Sequence, residues 1–295
     1  MIMVFGKPLM LLYSMLTLGL FNGAFYALLS LGLAVIFGML NIVNFAHGAL
    51  FMLGAVVAWA LLQFLGLSYW WALLIAPLVV GAFGVLLEKT LISRLYKLDH
   101  LYGLLLTFGL ALIIEGLARN QLGSSGVPYA PPAQLSGAVN LGFMVLPIYR
   151  AWVILVATVV SLATWLVIEK TSIGATLRAA TENAPLVQAF GVNVPRMITL
   201  TYAAGVALAA FGGVLAAPIY SVNPNMGSAL IITVFAVVVI GGMGSILGSV
   251  VTGLGLGIVE GLTKVYYPEF SSTVIFVVMA IVLLARPAGL FGRTA

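Results

Sequence analysis

Two amides and an imidazole fall within eight residues of otherwise hydrocarbon-like sequence: NIVNFAHG, residues 41–48, carries Asn41, Asn44 and His47 and ends on Gly48. These groups offer hydrogen bonding without a carboxylate or an ammonium. In hydrocarbon every free backbone group is costly, so a chain break here is tolerable only against protein or along a water-filled path. Two readings stay open. In one, a broken helix and the side chains of Asn41, Asn44 and His47 line a translocation path; in the other, the segment is a turn in water with Asn44 capping the helix that follows.

Other chemistry finds little support. The second histidine, His100, is far from His47 in sequence, with no H-E-x-x-H or comparable ligand spacing, and the chain has no cysteine, so thiolate metal sites and disulfides are excluded. No G-x-x-x-x-G-K-[ST] phosphate loop is present, so nothing here binds and hydrolyses ATP by that signature. Glu115 and Glu260 lie towards the ends of apolar stretches. A carboxylate at membrane depth costs a few kcal/mol, but Lys264 stands four residues beyond Glu260, and an interfacial ion pair accounts for it.

The elements that must position these residues are set by composition. Hydrophobic residues make up 63% of the 295-residue chain and charged residues 6%, against roughly a quarter charged in a soluble domain. With a mean hydropathy of +1.23, the chain reads as an all-α polytopic transmembrane bundle, a single domain over 1–295 embedded in lipid. In a soluble protein the net charge of +5 would suggest nucleic acid; here the basic residues mark loops instead, and no nucleic-acid partner is expected. The N-terminus, with Lys7 and no small-residue cleavage pattern, reads as membrane helix rather than a removed signal.

In order, the apolar block 9–40 is too long for one untilted crossing, and it reads either as an interfacial start plus one crossing or as two short kinked helices. Spans follow at 49–64, 69–87, 101–117, 151–168, 197–217, 229–240, 246–261 and 272–285, giving eight to ten in all, some broken or short. A charged loop is expected at 88–100, and 120–147, with PYAPP, reads as an extended outer lid. Lys89, Arg94, Lys97, Lys170, Arg178, Arg196, Arg286 and Arg293 fall on one side, which the positive-inside rule makes cytoplasmic together with the C-terminus.

The segment 169–196, EKTSIGATLRAATENAPLVQAFGVNVPR, is the one long interruption that is also rich in charge, holding Glu169, Lys170, Arg178, Glu182 and Arg196. Apolar residues at helical spacing predict two short helices, 175–182 and 184–190, with Pro185 at the start of the second and Gly191 just past its end. A compact, half-apolar element of this kind is suited to docking into another protein, or else it is a solvated turn.

Late in the chain, Ser245, Ser249, Gly253, Gly257 and Gly261 stand four apart and form one smooth ridge. Lipid gives no hydrophobic drive between helices, so close approach over small residues makes this a packing seam, within the chain or to a partner. Before it, GGMGS reads as a tight turn or a hinge.

Three stretches, GLAVIFGMLNIVNFAHGALFMLGA, TSIGATLRAATENAPLVQAFGVNVPRMITLTYAAG and GGMGSILGSVVTGLGLGIVEG through to RPAGLFGR, resemble the permease subunits of binding-protein-dependent ABC importers for branched-chain amino acids, a type that also serves urea, short amides and related solutes. The resemblance implies a non-enzymatic permease without cofactor or metal of its own, in a bacterial inner membrane. It implies a second related permease subunit, two cytoplasmic ATPase subunits that bind the ATP, and a periplasmic solute-binding protein. The segment 169–196 would be the cytoplasmic coupling loop, with Arg178, Glu182, Pro185, Phe190, Gly191 and Arg196 as its ATPase-coupling residues. The coupling signature of other importer classes is represented only by Glu182-Asn183-Ala184 and Gly191. A gradient-driven secondary transporter or channel is the rival class; it would more often carry acidic residues at mid-helix.

Overall fold

The computed structural model describes residues 3–4, 7–40, 43–96 and 98–292. Asn41, Lys97 and Arg293 lie outside the described residues. The chain divides into two compact units, one of residues 1–30, 131–161 and 233–295, the other of 31–130 and 162–232.

Eleven α-helices are present among the described residues: α1 (Leu9–Leu40), α2 (Ala46–Leu65), α3 (Tyr69–Thr90), α4 (His100–Leu122), α5 (Ile148–Lys170), α6 (Ser172–Glu182), α7 (Ala184–Ala189), α8 (Val194–Tyr220), α9 (Met226–Gly241), α10 (Ile246–Tyr266) and α11 (Val274–Ala285). Seven, namely α1 to α5, α8 and α10, are long and apolar enough to cross a membrane, and α9 and α11 are shorter apolar helices. The protein is an all-α, multi-pass membrane bundle. The block 9–40 is one unbroken helix of 32 residues, about 48 Å long at 1.5 Å per residue, so the reading as two short kinked helices is not met and the excess over a bilayer core of roughly 30 Å belongs to a single candidate crossing. The stretch expected to be an extended lid folds locally, as an antiparallel hairpin that pairs Ala138–Asn140 with Val145–Pro147.

In the first unit the small-residue ridge is a seam within the chain. A Cβ placed on Gly257 would come 2.3 Å from Gly19 O and 2.4 Å from Gly23 Cα, one on Gly253 would come 2.5 Å from Ala27 N, and one on Gly261 would come 2.5 Å from Met15 O. α1 and α10 therefore touch backbone to backbone. Ser249 carries the seam onward, its carbonyl accepting from Ser30 Oγ, while Ser245 does a different job: its hydroxyl caps α10 by accepting from Gly248 N at 3.1 Å. The GGMGS turn is fastened from outside, since Leu290 N donates to Ile240 O at 2.8 Å and Phe291 N to Gly241 O at 3.2 Å.

The same unit buries Glu260. Its carboxylate takes Tyr26 Oη at 2.8 Å, Asn22 Nδ2 at 3.1 Å and Lys264 Nζ. The expected ion pair is present, but it belongs to a four-residue, part-buried cluster, which sequence spacing does not show.

The second unit is likewise assembled on close backbone approach, where a Cβ on Gly54 would meet Ala210 O at 2.2 Å and one on Gly213 would meet Phe51 O at 1.9 Å, setting α2 directly on α8. α3 runs along α8 as well, with Gly84 facing Val206.

Candidate functional site

The break between α1 and α2 gathers the buried groups Asn44, His47, Thr107 and Tyr202 of the second unit. The helix ends at Leu40 and restarts at Ala46 with Phe45 in the capping position and no side-chain cap. Asn44 therefore does not cap α2. Its Nδ2 instead donates to Tyr202 Oη of α8 at 3.1 Å, and its Oδ1 has no hydrogen-bond partner among the described residues. The broken backbone is served from α4: Thr107 Oγ1 lies 3.2 Å from Val43 O and accepts from Phe45 N at 3.2 Å. A hydroxyl can do both because it donates one proton and still offers lone pairs. His47 sits in the first turn of α2, 1% exposed, with its ring against Gly32, where a Cβ would come 3.1 Å from His47 Cε1. The structure thus brings Asn44 and His47 to one break in the chain. It adds Thr107 and Tyr202, which no spacing in the sequence announces.

The second site is the 169–196 segment, where two short helices replace a plain turn. α6 doubles back on α5 because Gly174 leaves room: any Cβ there would strike Ile168 O. Arg178 seals this fold by donating from Nη1 to Ile168 O at 2.8 Å and pairing with Glu169 Oε2 at 3.1 Å. Asn183 ends α6 and caps α7, its Oδ1 accepting from Leu186 N at 3.0 Å, with Pro185 in the first turn and Gly191 at φ +85° after the end. Asn193 repeats the device for α8, accepting from Arg196 N at 3.0 Å. Ala180, Val187 and Val194 form a small core of their own, with Ala184, Val192, Met197 and Ile198 around it. Outside that core Ile173, Leu186 and Phe190 are exposed, Phe190 by 79%. Glu182, Pro185 and Arg196 are exposed as well, while Arg178 is engaged with the end of α5.

Sequence reading placed Glu88 in a charged loop. In the structure α3 continues through Thr90 and Glu88 is 3% exposed. Tyr96 Oη donates to its Oε1 at 2.5 Å and Thr199 Oγ1 of α8 to its Oε2 at 2.6 Å. Burial, reinforced by that carboxylate, pushes the Tyr96 phenol well above its ordinary range, so it stays a donor. Burial of the charge is possible because both oxygens find strong donors.

Residues 15–283 match the family described as branched-chain amino acid transport system / permease component. The chain belongs to that family. Among curated relatives, this permease is 30% identical to the high-affinity branched-chain amino acid transport system permease protein LivH of Escherichia coli K12, over 93% of this chain and 94% of that protein. It is also 30% identical to the corresponding protein BraD of Pseudomonas aeruginosa PAO1, over 93% and 94%. To the permease protein LivM of Escherichia coli K12 it is 27% identical, over 91% of this chain and 68% of that one. No solved structure matches the permease significantly.

Proposed function

We propose that this permease is one of two related transmembrane subunits of an ABC importer in a bacterial inner membrane, moving branched-chain amino acids into the cytoplasm. The observation that carries this reading is the likeness, over nine-tenths of the chain, to relatives named as permeases of branched-chain amino acid transport. A partner chain is expected because the permease is similar to both LivH and LivM, which bear the same system name. ATP is hydrolysed in two separate cytoplasmic subunits, and a periplasmic receptor delivers the solute.

The α6–α7 segment supports the coupling role. It has a core that keeps its shape, exposed apolar residues at Ile173, Leu186 and Phe190, and a charged rim, the composition of an interface patch. The C-terminus lies on the same cytoplasmic side. The solute passes the α1–α2 break, where Asn44 Oδ1 is a free acceptor for an ammonium or amide donor and the start of α2 favours a carboxylate.

Vesicles containing this permease, its partner permease, the ATPases and the receptor are expected to accumulate labelled leucine only with ATP inside the compartment that holds the ATPases. Uptake by this chain alone, driven by an ion gradient, would overturn the reading. Leu186→Asp with Phe190→Asp is expected to release the ATPases while the permease stays in the membrane.

A further inference from the structure

α8 begins where the α6–α7 segment ends. Val194 and Met197 of its first turn belong to the segment's own core, so α8 and the segment share packing. One turn later Thr199 binds Glu88, and three residues beyond it Tyr202 binds Asn44 at the α1–α2 break. Residues three apart share a helix face, about 4.5 Å along the axis. Tyr96, Glu88, Thr199, Tyr202 and Asn44 are thus one polar line, all within the second unit. It runs from the turn after α3, across α8, to the break.

Glu88 is the costly member of this line. Among the described residues no lysine or arginine pairs with it, and a buried carboxylate held by hydroxyls alone is a poor stabiliser compared with an apolar side chain of similar size. Its geometry does serve one purpose well, since it fixes α3 and the turn at Tyr96 to a single register on α8. Two short charge-assisted hydrogen bonds, unlike apolar contact, do not slide.

We propose that Glu88 is a positioning residue, the joint through which displacement of the 172–192 segment reaches the chain break at 43–45. The proposal rests on the coupling role given to that segment above. Thr199 lies on α8 between the residues packed into the segment and Tyr202, and Glu88 anchors it against α3, so that the start of α8 moves as one stiff stretch and carries Tyr202 and Asn44 with it. Without Glu88, the first turns of α8 yield at Thr199 and absorb the displacement before it reaches Tyr202.

The chain contains no cysteine, so single thiols can report each end. Two reporters, Val43→Cys at the break and Leu186→Cys on the segment, are placed in the full importer reconstituted in vesicles and labelled with a maleimide with and without ATP. With Glu88 present, both labelling rates are expected to respond to ATP. With Glu88→Gln, Leu186→Cys still responds while the response of Val43→Cys is lost, and leucine moved per ATP falls about tenfold at unchanged basal hydrolysis, the loss expected for one hydrogen bond to a charged group. Thr199→Val, which keeps the carboxylate and removes one donor, gives the same pattern and decides the matter if Glu88→Gln fails to reach the membrane; Glu88→Asp recovers part of the response. An unchanged response of Val43→Cys in Glu88→Gln or Thr199→Val, or no response with Glu88 present, overturns the proposal. A Leu186→Cys rate indifferent to the ATPases defeats the coupling reading instead.

Discussion

Glu260 and Glu88, one in each compact unit, are buried carboxylates held in different ways. Glu260 has two neutral donors, Tyr26 and Asn22, and also a cation, Lys264, whose side chain is 32% exposed and reaches water. Glu88 has only the hydroxyls of Tyr96 and Thr199 among the described residues. Lys264 lies one helical turn away on the same helix, while Tyr26 and Asn22 tie Glu260 to α1 along a seam already closed backbone to backbone. The donors of Glu88 tie α3 to the Tyr96 turn and to the start of α8, beside the α6–α7 segment. The contrast suggests that the Glu260 cluster is a brace and the Glu88 cluster a joint, a distinction that can be broken from either side.

The largest effect is expected from removing both donors of Glu88. Tyr96→Phe with Thr199→Val deletes two hydroxyls and almost no volume, leaving a buried carboxylate without partners. Two hydrogen bonds to a charged group together are worth about 4 kcal/mol. Thermal unfolding of the detergent-solubilised permease is expected to show that loss, with the single variants near half of it each. A double variant as stable as the parent would mean that the charge reaches water and that the cluster joins nothing.

Why the brace was half legible and the joint was not follows from where the partners lie. Lys264 is four residues from Glu260, within helical reach, whereas Thr199 is 111 residues from Glu88 and Tyr202 is 158 from Asn44. Lys89, Arg94 and Lys97 beside Glu88 gave the local sequence the character of a solvated loop, and periodicity carries no information about a distant hydroxyl. The α6–α7 segment was legible because its signals are local: Pro185 and Gly191 punctuate it, and the expected helices, 175–182 and 184–190, differ from Ser172–Glu182 and Ala184–Ala189 only at the ends. The small-residue ridge was legible as a seam, but its partner, α1, was not, since every span is apolar enough to serve. The continuity of α1 was illegible for the same reason: a uniformly apolar block reads alike whether it is one rod or two.

A smaller effect is expected at the brace. Lys264→Met removes the cation and leaves Glu260 with Tyr26 and Asn22, much as Glu88 stands with its two hydroxyls. The cost is expected to be about 2 kcal/mol, below the range for stranding a fully buried charge, because two donors remain and the lysine itself was partly in water. Adding Tyr26→Phe should bring the loss close to that of Tyr96→Phe with Thr199→Val. Transport per ATP should be unchanged in Lys264→Met once stability is matched by temperature; a fall like that of Glu88→Gln would erase the distinction between brace and joint.

The smallest effect belongs to Glu169, which supplies the same carboxylate chemistry at the surface. Its pair with Arg178 has side chains 47% and 41% exposed, and Arg178 also donates to Ile168 O, so Glu169→Gln leaves the guanidinium anchored. Exposed pairs contribute about 0.5 kcal/mol, and unfolding of the isolated permease should move by no more than that, less still in high salt. In the assembled importer the same substitution becomes informative. If the ATPases cover the base of α6, the pair is desolvated there and Glu169→Gln weakens their binding in a salt-sensitive way; if they cover only the tip at Leu186 and Phe190, binding is unchanged. Comparing Glu169→Gln with Phe190→Asp therefore locates the edge of the footprint.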